Sequence, residues 1–232
     1  MASVEFDPVK GRIDFEFAFR RSAKFVCPAC GAEGQPVHGM LRRSWHHLNF
    51  FQYEAYLHAG VPRTQCGGCG KVHQVAVPWA RPNSGCTRLF EALGLTLCKV
   101  LPVNVNTVAQ HLAVGDDALW AILHRYVEQA RAQEDFSEVR CVGIDETASR
   151  RGHNYVTFAH DMDARRLLFG GEGRDQTPVL AFADDLTAHG GDPKAITDAS
   201  IDMSKAYIAG VGKHLPNAGI IFDRFHIIQL AN

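Results

Sequence analysis

Val139-Arg140-Cys141-Val142-Gly143-Ile144-Asp145, Ile196-Thr197-Asp198-Ala199-Ser200-Ile201-Asp202 and Gly219-Ile220-Ile221-Phe222-Asp223 are three apolar-rich runs that each end on an aspartate. Strands buried on both faces read as near-continuous apolar runs, and the ligands of an open α/β sheet gather at the carboxyl ends of such strands. The spacing predicts strands over 139–145, 196–202 and 219–223, with Asp145, Asp202 and Asp223 closing them. Two further strands are predicted over 153–160 and 165–170, and helices over 177–188 and 204–214. The region 140–223 therefore reads as a mixed α/β domain that collects acids on one edge.

Working outward, 232 residues with 46% apolar composition can bury real cores and allow one or two domains. No run approaches the roughly 18 consecutive apolar residues of a membrane span, and Glu5, Asp7 and Asp14 stand where a signal peptide has its apolar core. A cytoplasmic location is the default expectation. The net charge of −1 hides an asymmetry, since residues 20–88 carry nine Lys/Arg against two acids. That segment suits phosphates, whereas the acids after residue 139 would repel a nucleic acid unless divalent cations neutralised them.

Near the N-terminus, Ile13-Asp14-Phe15-Glu16-Phe17-Ala18-Phe19 alternates apolar and polar residues and predicts a half-buried peripheral strand. Cys27-Pro28-Ala29-Cys30-Gly31 is then answered by Cys66-Gly67-Gly68-Cys69-Gly70. Two CxxC pairs, each followed by glycine, are a zinc-ribbon signature, so Cys27, Cys30, Cys66 and Cys69 are the expected ligands of a structural Zn²⁺. The long interval between the pairs predicts an insert of hairpins at 36–40, 51–59 and the segment before Cys66. Four sulfurs fill the shell, leaving His38, His46, His47, His58 and His73 as surface or phosphate-facing side chains. Cys86, Cys98 and Cys141 read as buried thiols.

Arg42-Arg43-Ser44-Trp45-His46-His47-Leu48 joins basic residues to an aromatic ring. Such a cluster suits phosphate contact and stacking, or places the Trp in a core. After the Pro/Gly connector 78–85, Thr87 is expected to cap a helix to about Val100, Asn106 to cap a helix over 107–112, and a turn at Gly115 to lead into a helix over 116–132. The order fits a helix-turn-helix with its core at 106–125, or a helical spacer without DNA contact. Asp145 and Asp202 suit two-metal phosphodiester chemistry, which needs hard oxygen ligands, although Asp202 also suits a helix cap.

Gly143-Ile144-Asp145-Glu146, Arg151-Gly152-His153-Asn154-Tyr155-Val156-Thr157, Gly173-Arg174-Asp175, Asp202-Met203-Ser204-Lys205-Ala206-Tyr207, Leu215-Pro216-Asn217-Ala218 and Phe222-Asp223-Arg224-Phe225-His226 together resemble the transposases of the insertion-sequence L-three family. Cys27/Cys30, Trp45-His46-His47-Leu48, Pro62-Arg63, Cys66/Cys69 and Pro78-Trp79 resemble the zinc-ribbon region of the same family. The resemblance implies a multidomain α+β protein: an arm at 1–23, a zinc ribbon at 24–77, a helix-turn-helix domain at 78–134 and an incomplete ribonuclease-H-like α/β catalytic domain at 138–232. It implies a DDE transposase that binds double-stranded DNA at terminal inverted repeats and at a target, as a homo-oligomer, and cuts and joins strands with Mg²⁺ or Mn²⁺ in the bacterial nucleoid.

By the same resemblance, Asp145 and Asp202 match the first and second catalytic acids, and Asp223 and His226 have supporting roles. The third acid, a downstream glutamate, has no counterpart, so a truncated, weakly active copy is expected, or a DNA-binding regulator of transposition without catalysis. Glu146 should point to the strand face opposite Asp145. Arg42, Arg43, Trp45, His46, Arg63 and Arg125 are the candidate DNA contacts.

Overall fold

The computed structural model describes residues 2–20, 22–149 and 154–222, so Asp223 and His226 lie outside the described residues. The chain divides into two compact units, Met1–Tyr126 and Val127–Asn232.

In the first unit, β1 (Ser3–Asp7), β2 (Arg12–Phe17), β3 (Val37–Phe50), β4 (Tyr53–Gln65) and β5 (Val72–Gln74) share one sheet. The alternation at residues 13–19 forms β2, which lies parallel to β4 with Ile13, Phe15 and Phe17 opposite Ala55, Leu57 and Ala59. Period-2 alternation thus sends Phe15 and Phe17 to the face where Trp45, Leu57, Ala59 and Val61 are buried. Trp45 meets Trp79 edge to face at 5.6 Å. Burying such a ring contributes about 4 kcal/mol of transfer free energy. The interval between the cysteine pairs is one long antiparallel hairpin, β3 with β4, where several short hairpins were expected. Cross-strand pairs along its whole length carry the chain through, and Phe51, at φ 56°, makes the turn.

Three helices follow: α1 (Arg88–Val100), α2 (Val105–His111) and α3 (Asp116–Arg131). Thr87 caps α1 as expected, its hydroxyl accepting from Phe90 N. The cap of α2 is Asn104 rather than Asn106, with its side-chain oxygen accepting from Thr107 N at 2.9 Å. An Asx side chain reaches the N–H three residues on, and from Asn106 the helix would start after its first turn had already formed. The left-handed residue in the α2–α3 turn is Ala113 at φ 54°, not Gly115. Glycine serves instead at Gly94 of α1, where a Cβ would stand 3.0 Å from Leu119 Cδ1. Its bare backbone lets α1 and α3 close over Phe90, Val108, Leu112 and Leu119.

In the second unit, β6 (Cys141–Ala148), β7 (Tyr155–Asp161) and β8 (Arg166–Glu172) form an antiparallel meander. Then α4 (Thr177–Ala188) leads to β9 (Asp198–Ile201), parallel to β6, and α5 (Lys205–His214) to β10 (Gly219–Phe222), parallel to β9. The sheet order β10-β9-β6-β7-β8 is the ribonuclease-H-like order implied by the resemblance. Val142, Ile144, Ala199 and Ile201 bury one face of this sheet in a core with Phe182, Leu186 and Val211 of the two helices. Several strand boundaries differ from expectation: β6 runs three residues past Asp145 because β7 keeps pairing it as far as Ala148↔Tyr155, β8 extends to Glu172, and β9 spans only Asp198–Ile201, so Asp202 follows the strand rather than closing it.

Candidate functional site

The four knuckle cysteines converge. Their sulfur atoms all lie within 4.8 Å of one another, with Cys27 3.9 Å from Cys69 and Cys30 3.4 Å from Cys66. Tetrahedral Zn–S bonds of about 2.3 Å put sulfurs roughly 3.8 Å apart, so the cluster fits Zn²⁺. The trailing glycines explain the geometry: Gly31 (φ 73°) and Gly70 (φ 69°) turn left-handed, and each donates its N–H to the carbonyl of the first cysteine of its pair. Gly68 N also donates to Cys66 Sγ at 3.3 Å. Backbone N–H groups, that of Cys69 foremost, pull the Cys66 thiol down to about 6, whereas Cys30, crowded by the neighbouring sulfurs, is pushed up to about 11. His73, half-buried, stands beside the shell with Nε2 3.4 Å from Cys69 Sγ. Cys86, Cys98 and Cys141 are half-buried rather than fully buried.

The basic cluster is largely committed. Arg42 pairs with Glu16 at the surface, and Arg43 donates to Ser84 O at 3.0 Å. Trp45 and His46 are 2% and 5% exposed, which corrects their assignment as DNA contacts. Trp45 sits in the core, and His46 is sandwiched between Tyr56 and Phe90, because β3 is covered on both faces at these two positions. Arg63 is exposed and Arg125 half-buried, while the solvent side of α3 shows Trp120, 45% exposed, next to His124. Sequence reasoning passed over Trp120, since a lone Trp on a helix carries no pattern of its own.

It also passed over two buried networks. Glu91 is fully buried and held by Arg81, Ser84 and Tyr126. Burial pushes its carboxyl up, but the three donors outweigh that and hold it below the usual carboxylate range. On β2 and β4, His58 bridges Asp14 at 2.5 Å and Ser44 at 2.7 Å. Only the spatial register of three strands brings these residues together, so spacing in sequence gives no signal.

Asp145 and Asp202 come together. Strand β6 pairs with β9 at Cys141↔Asp198, Val142↔Ala199 and Gly143↔Ser200. Extending that register by two residues points Asp145 and Asp202, which lies one residue past the end of β9, to the same face. Both acids line one open cleft with Gly143, His160, Met162 and Ser200. A Cβ at Gly143 would stand 2.6 Å from Met162 Sδ, so glycine here makes the floor that Met162 lies on. Asp145 is exposed and Asp202 half-buried. One oxygen of Asp202 accepts from Ser204 N at 2.8 Å. This contact is an Asx turn ahead of the helix, whose N-cap is Ser204, so the cap reading of Asp202 is corrected while its place in the cleft stands. Glu146 points to the opposite face, where burial above all raises its carboxyl pKa. His160 is a cleft residue that sequence reasoning missed; its alternation with Ala159 along β7 was the available signal.

A Cys₄ ribbon, three helices with a helix-turn-helix order, and a ribonuclease-H-like sheet with two in-register acids define a zinc-bearing DDE-type protein. The comparisons agree region by region. Residues 23–73 match the family described as zinc-finger of transposase IS204/IS1001/IS1096/IS1165, residues 75–127 the helix-turn-helix domain of transposase family ISL3, and residues 142–232 the ISL3 transposase domain. The chain is 29% identical over 204 residues to the transposase for insertion sequence element IS1001 of Bordetella parapertussis, covering 88% of this chain and 49% of that protein. It is also 29% identical over 207 residues to the transposase for insertion sequence element IS1557 of Mycobacterium tuberculosis, covering 88% and 46%. The chain belongs to the ISL3 transposase family, and it spans about half the length of these curated relatives. No helix among the described residues is long and apolar enough to cross a membrane.

Proposed function

We propose that this chain binds the terminal inverted repeats of an insertion sequence through its first unit and carries, in its second, an acid pair for metal-dependent cleavage and strand transfer of DNA. The observation that carries the reading is the Asp145–Asp202 pair: Asp145 on β6 and Asp202 just past the end of the neighbouring parallel strand β9 line one open cleft, accessible to an incoming phosphodiester. Carboxylate oxygens are the hard ligands that suit Mg²⁺ or Mn²⁺, which would supply activation of an attacking hydroxyl and stabilisation of the leaving oxygen. The chain's own part is to fix the two carboxylates, Asp145 through the β6–β7 ladder and Asp202 through the turn into α5. His160 and Ser200 line the cleft where the DNA backbone would lie. Arg63 and Arg125, with Arg42 and Arg43 released from their surface partners, are the basic residues of the first unit proposed to meet phosphates. Zn²⁺ on the four cysteines would keep the knuckles folded and takes no part in the reaction, because four sulfurs leave no open coordination position.

The test is end-labelled inverted-repeat DNA incubated with the purified chain and Mg²⁺. Retardation in a gel that falls steeply with salt is expected for binding through phosphates, and any nicking is expected to vanish in Asp145→Ala and Asp202→Ala. Nicking that survives both substitutions would defeat the assignment of chemistry. Retardation that ignores salt would defeat the assignment of the first unit.

A further inference from the structure

Four thiolates on one Zn²⁺ leave two negative charges uncompensated, so N–H donors aimed at the sulfurs help to hold such a shell together. Among the described residues, two hydrogen bonds reach the cluster from groups other than the cysteines themselves. One comes from the N–H of Gly68, 3.3 Å from Cys66 Sγ. The other comes from the ring of His73, whose Nε2 is 3.4 Å from Cys69 Sγ. His73 is not a member of the group of four sulfurs that lie within 4.8 Å of one another, so it stands outside the ligand shell. A zinc-bound thiolate has lone pairs and no proton, and the contact is therefore an N–H donated by the imidazole.

Main-chain bonds bring the ring there. Strand β5 returns antiparallel to β4 directly after the second knuckle, with Arg63↔Gln74, Thr64↔His73 and Gln65↔Val72 in register, and Cys66 N donates to Lys71 O at 3.0 Å. Thr64, the partner of His73 across that ladder, is fully buried, and its hydroxyl has no partner among the described residues. It does not draw the imidazole away from the sulfur. Cys27 and Cys66 are buried, whereas Cys69 is half-buried. Water can compete for Cys69 where it cannot reach the other two, so a donor at this sulfur has more to hold in place.

We propose that His73 is a positioning residue of the zinc site: its ring N–H holds the Cys69 thiolate in the shell and so raises the affinity of the ribbon for Zn²⁺. Groups outside the ligand set that orient ligands typically contribute about 10- to 100-fold in metal affinity. A single N–H on a half-buried sulfur belongs at the lower end of that range.

The experiment is a titration of the whole zinc-loaded chain with a chromogenic chelator, joined to the absorption spectrum of the cobalt-substituted chain. His73→Phe keeps a flat ring and removes the donor; it should weaken zinc binding about 10-fold. It should also move the thiolate-to-cobalt charge-transfer band to lower energy, because a sulfur that loses its N–H donor holds its lone pairs less tightly. His73→Gln, whose amide can place an N–H at the same reach, should restore both toward wild type. Cys69→Ser should lose most of the affinity. If His73→Phe holds zinc as tightly as wild type, or weakens binding with no movement of the band, the positioning role is overturned. Failure of His73→Gln to restore either readout overturns it too, since the ring would then act by packing alone. A wild-type cobalt spectrum with a ring nitrogen in the shell that His73→Phe removes would make His73 a ligand and overturn the inference from the other side. If Cys69→Ser retains zinc like wild type, the four-sulfur shell itself falls, and the inference with it.

Discussion

Replacing Glu91 by alanine should cost the first unit more than any other single polar change. Its side chain is fully buried, and both oxygens are used: Oε1 by Arg81 Nη2 at 2.5 Å and Ser84 at 2.8 Å, Oε2 by Arg81 Nε at 2.8 Å and Tyr126 at 2.9 Å. The truncation strands a guanidinium whose side chain is only 18% exposed, together with the Ser84 and Tyr126 hydroxyls. Breaking a buried pair by removing one partner costs about 3–5 kcal/mol, against an ordinary surface ion pair at roughly 0–1 kcal/mol. The limited exposure of Arg81 lets water recover part of this, so we expect about 3 kcal/mol. Glu91→Gln keeps the shape and one acceptor oxygen, though its NH2 then faces two of the four donors, and should cost less than alanine. All three tryptophans, Trp45, Trp79 and Trp120, lie in the first unit, so urea unfolding followed by Trp fluorescence reports this unit alone. The sign with pH also follows. Because the carboxyl is held below its usual range, its contribution is present above the unfolded carboxylate pKa and is lost as pH falls through the folded one. The gap between wild type and Glu91→Ala should therefore narrow in strong acid. A gap under about 0.5 kcal/mol at pH 7, the level of an ordinary surface substitution, would refute the argument that this carboxylate is the hub of the network.

Three further outcomes follow from the same geometry. The purified chain should carry zinc that a chelator removes and that Cys27→Ser or Cys66→Ser fails to retain, measured by a colorimetric zinc assay; the tryptophan-reported unfolding midpoint should fall with the metal. Gly31→Ala and Gly70→Ala should each destabilise the ribbon by about 1–2 kcal/mol, because a Cβ is disfavoured at their positive φ, whereas Gly39→Ala, at an open strand position, should be nearly silent in the same urea series. Asp14→Asn removes the charge that His58 and Arg12 share and should lower stability by roughly 1–3 kcal/mol at pH 7. That loss should shrink toward acid pH, since Asp14 is held below the usual range and its contribution disappears as it protonates.

Elements whose signal is local were legible in the sequence. The two CxxC-Gly pairs fix their own turn chemistry within five residues, and the periodicity of 177–188 and 204–214 returns as α4 and α5 within one residue. What was missed depends on partners far along the chain. Trp45 and His46 look like a surface cluster because Arg42 and Arg43 precede them; only the pairing of β3 with β4, and the covering of both faces by Trp79 and Phe90, buries them. Asn104 and Asn106 are both cap-forming residues within one turn, and α2 starts from Asn104.

The acid pair shows why a spacing can be read correctly for more than one reason. Asp202 makes the turn ahead of α5, as a lone strand-end aspartate often does, and that role alone would explain its presence. It does not explain why the interval from Asp145 equals the offset of the ladder, which runs unbroken from Cys141↔Asp198 to Gly143↔Ser200. A shift of one residue in either strand would send one carboxylate to the core face with Ile144 and Ile201, where burial would neutralise it or unfold the sheet. The hydrophobic alternation that holds Val142, Ile144, Ala199 and Ile201 inward is therefore the same constraint that holds Asp145 and Asp202 outward and side by side. Inserting one residue between Gly143 and Asp145 should abolish Asp145-dependent Mn²⁺ binding while leaving β6 paired with β7; retained binding would show that the pair does not owe its geometry to register.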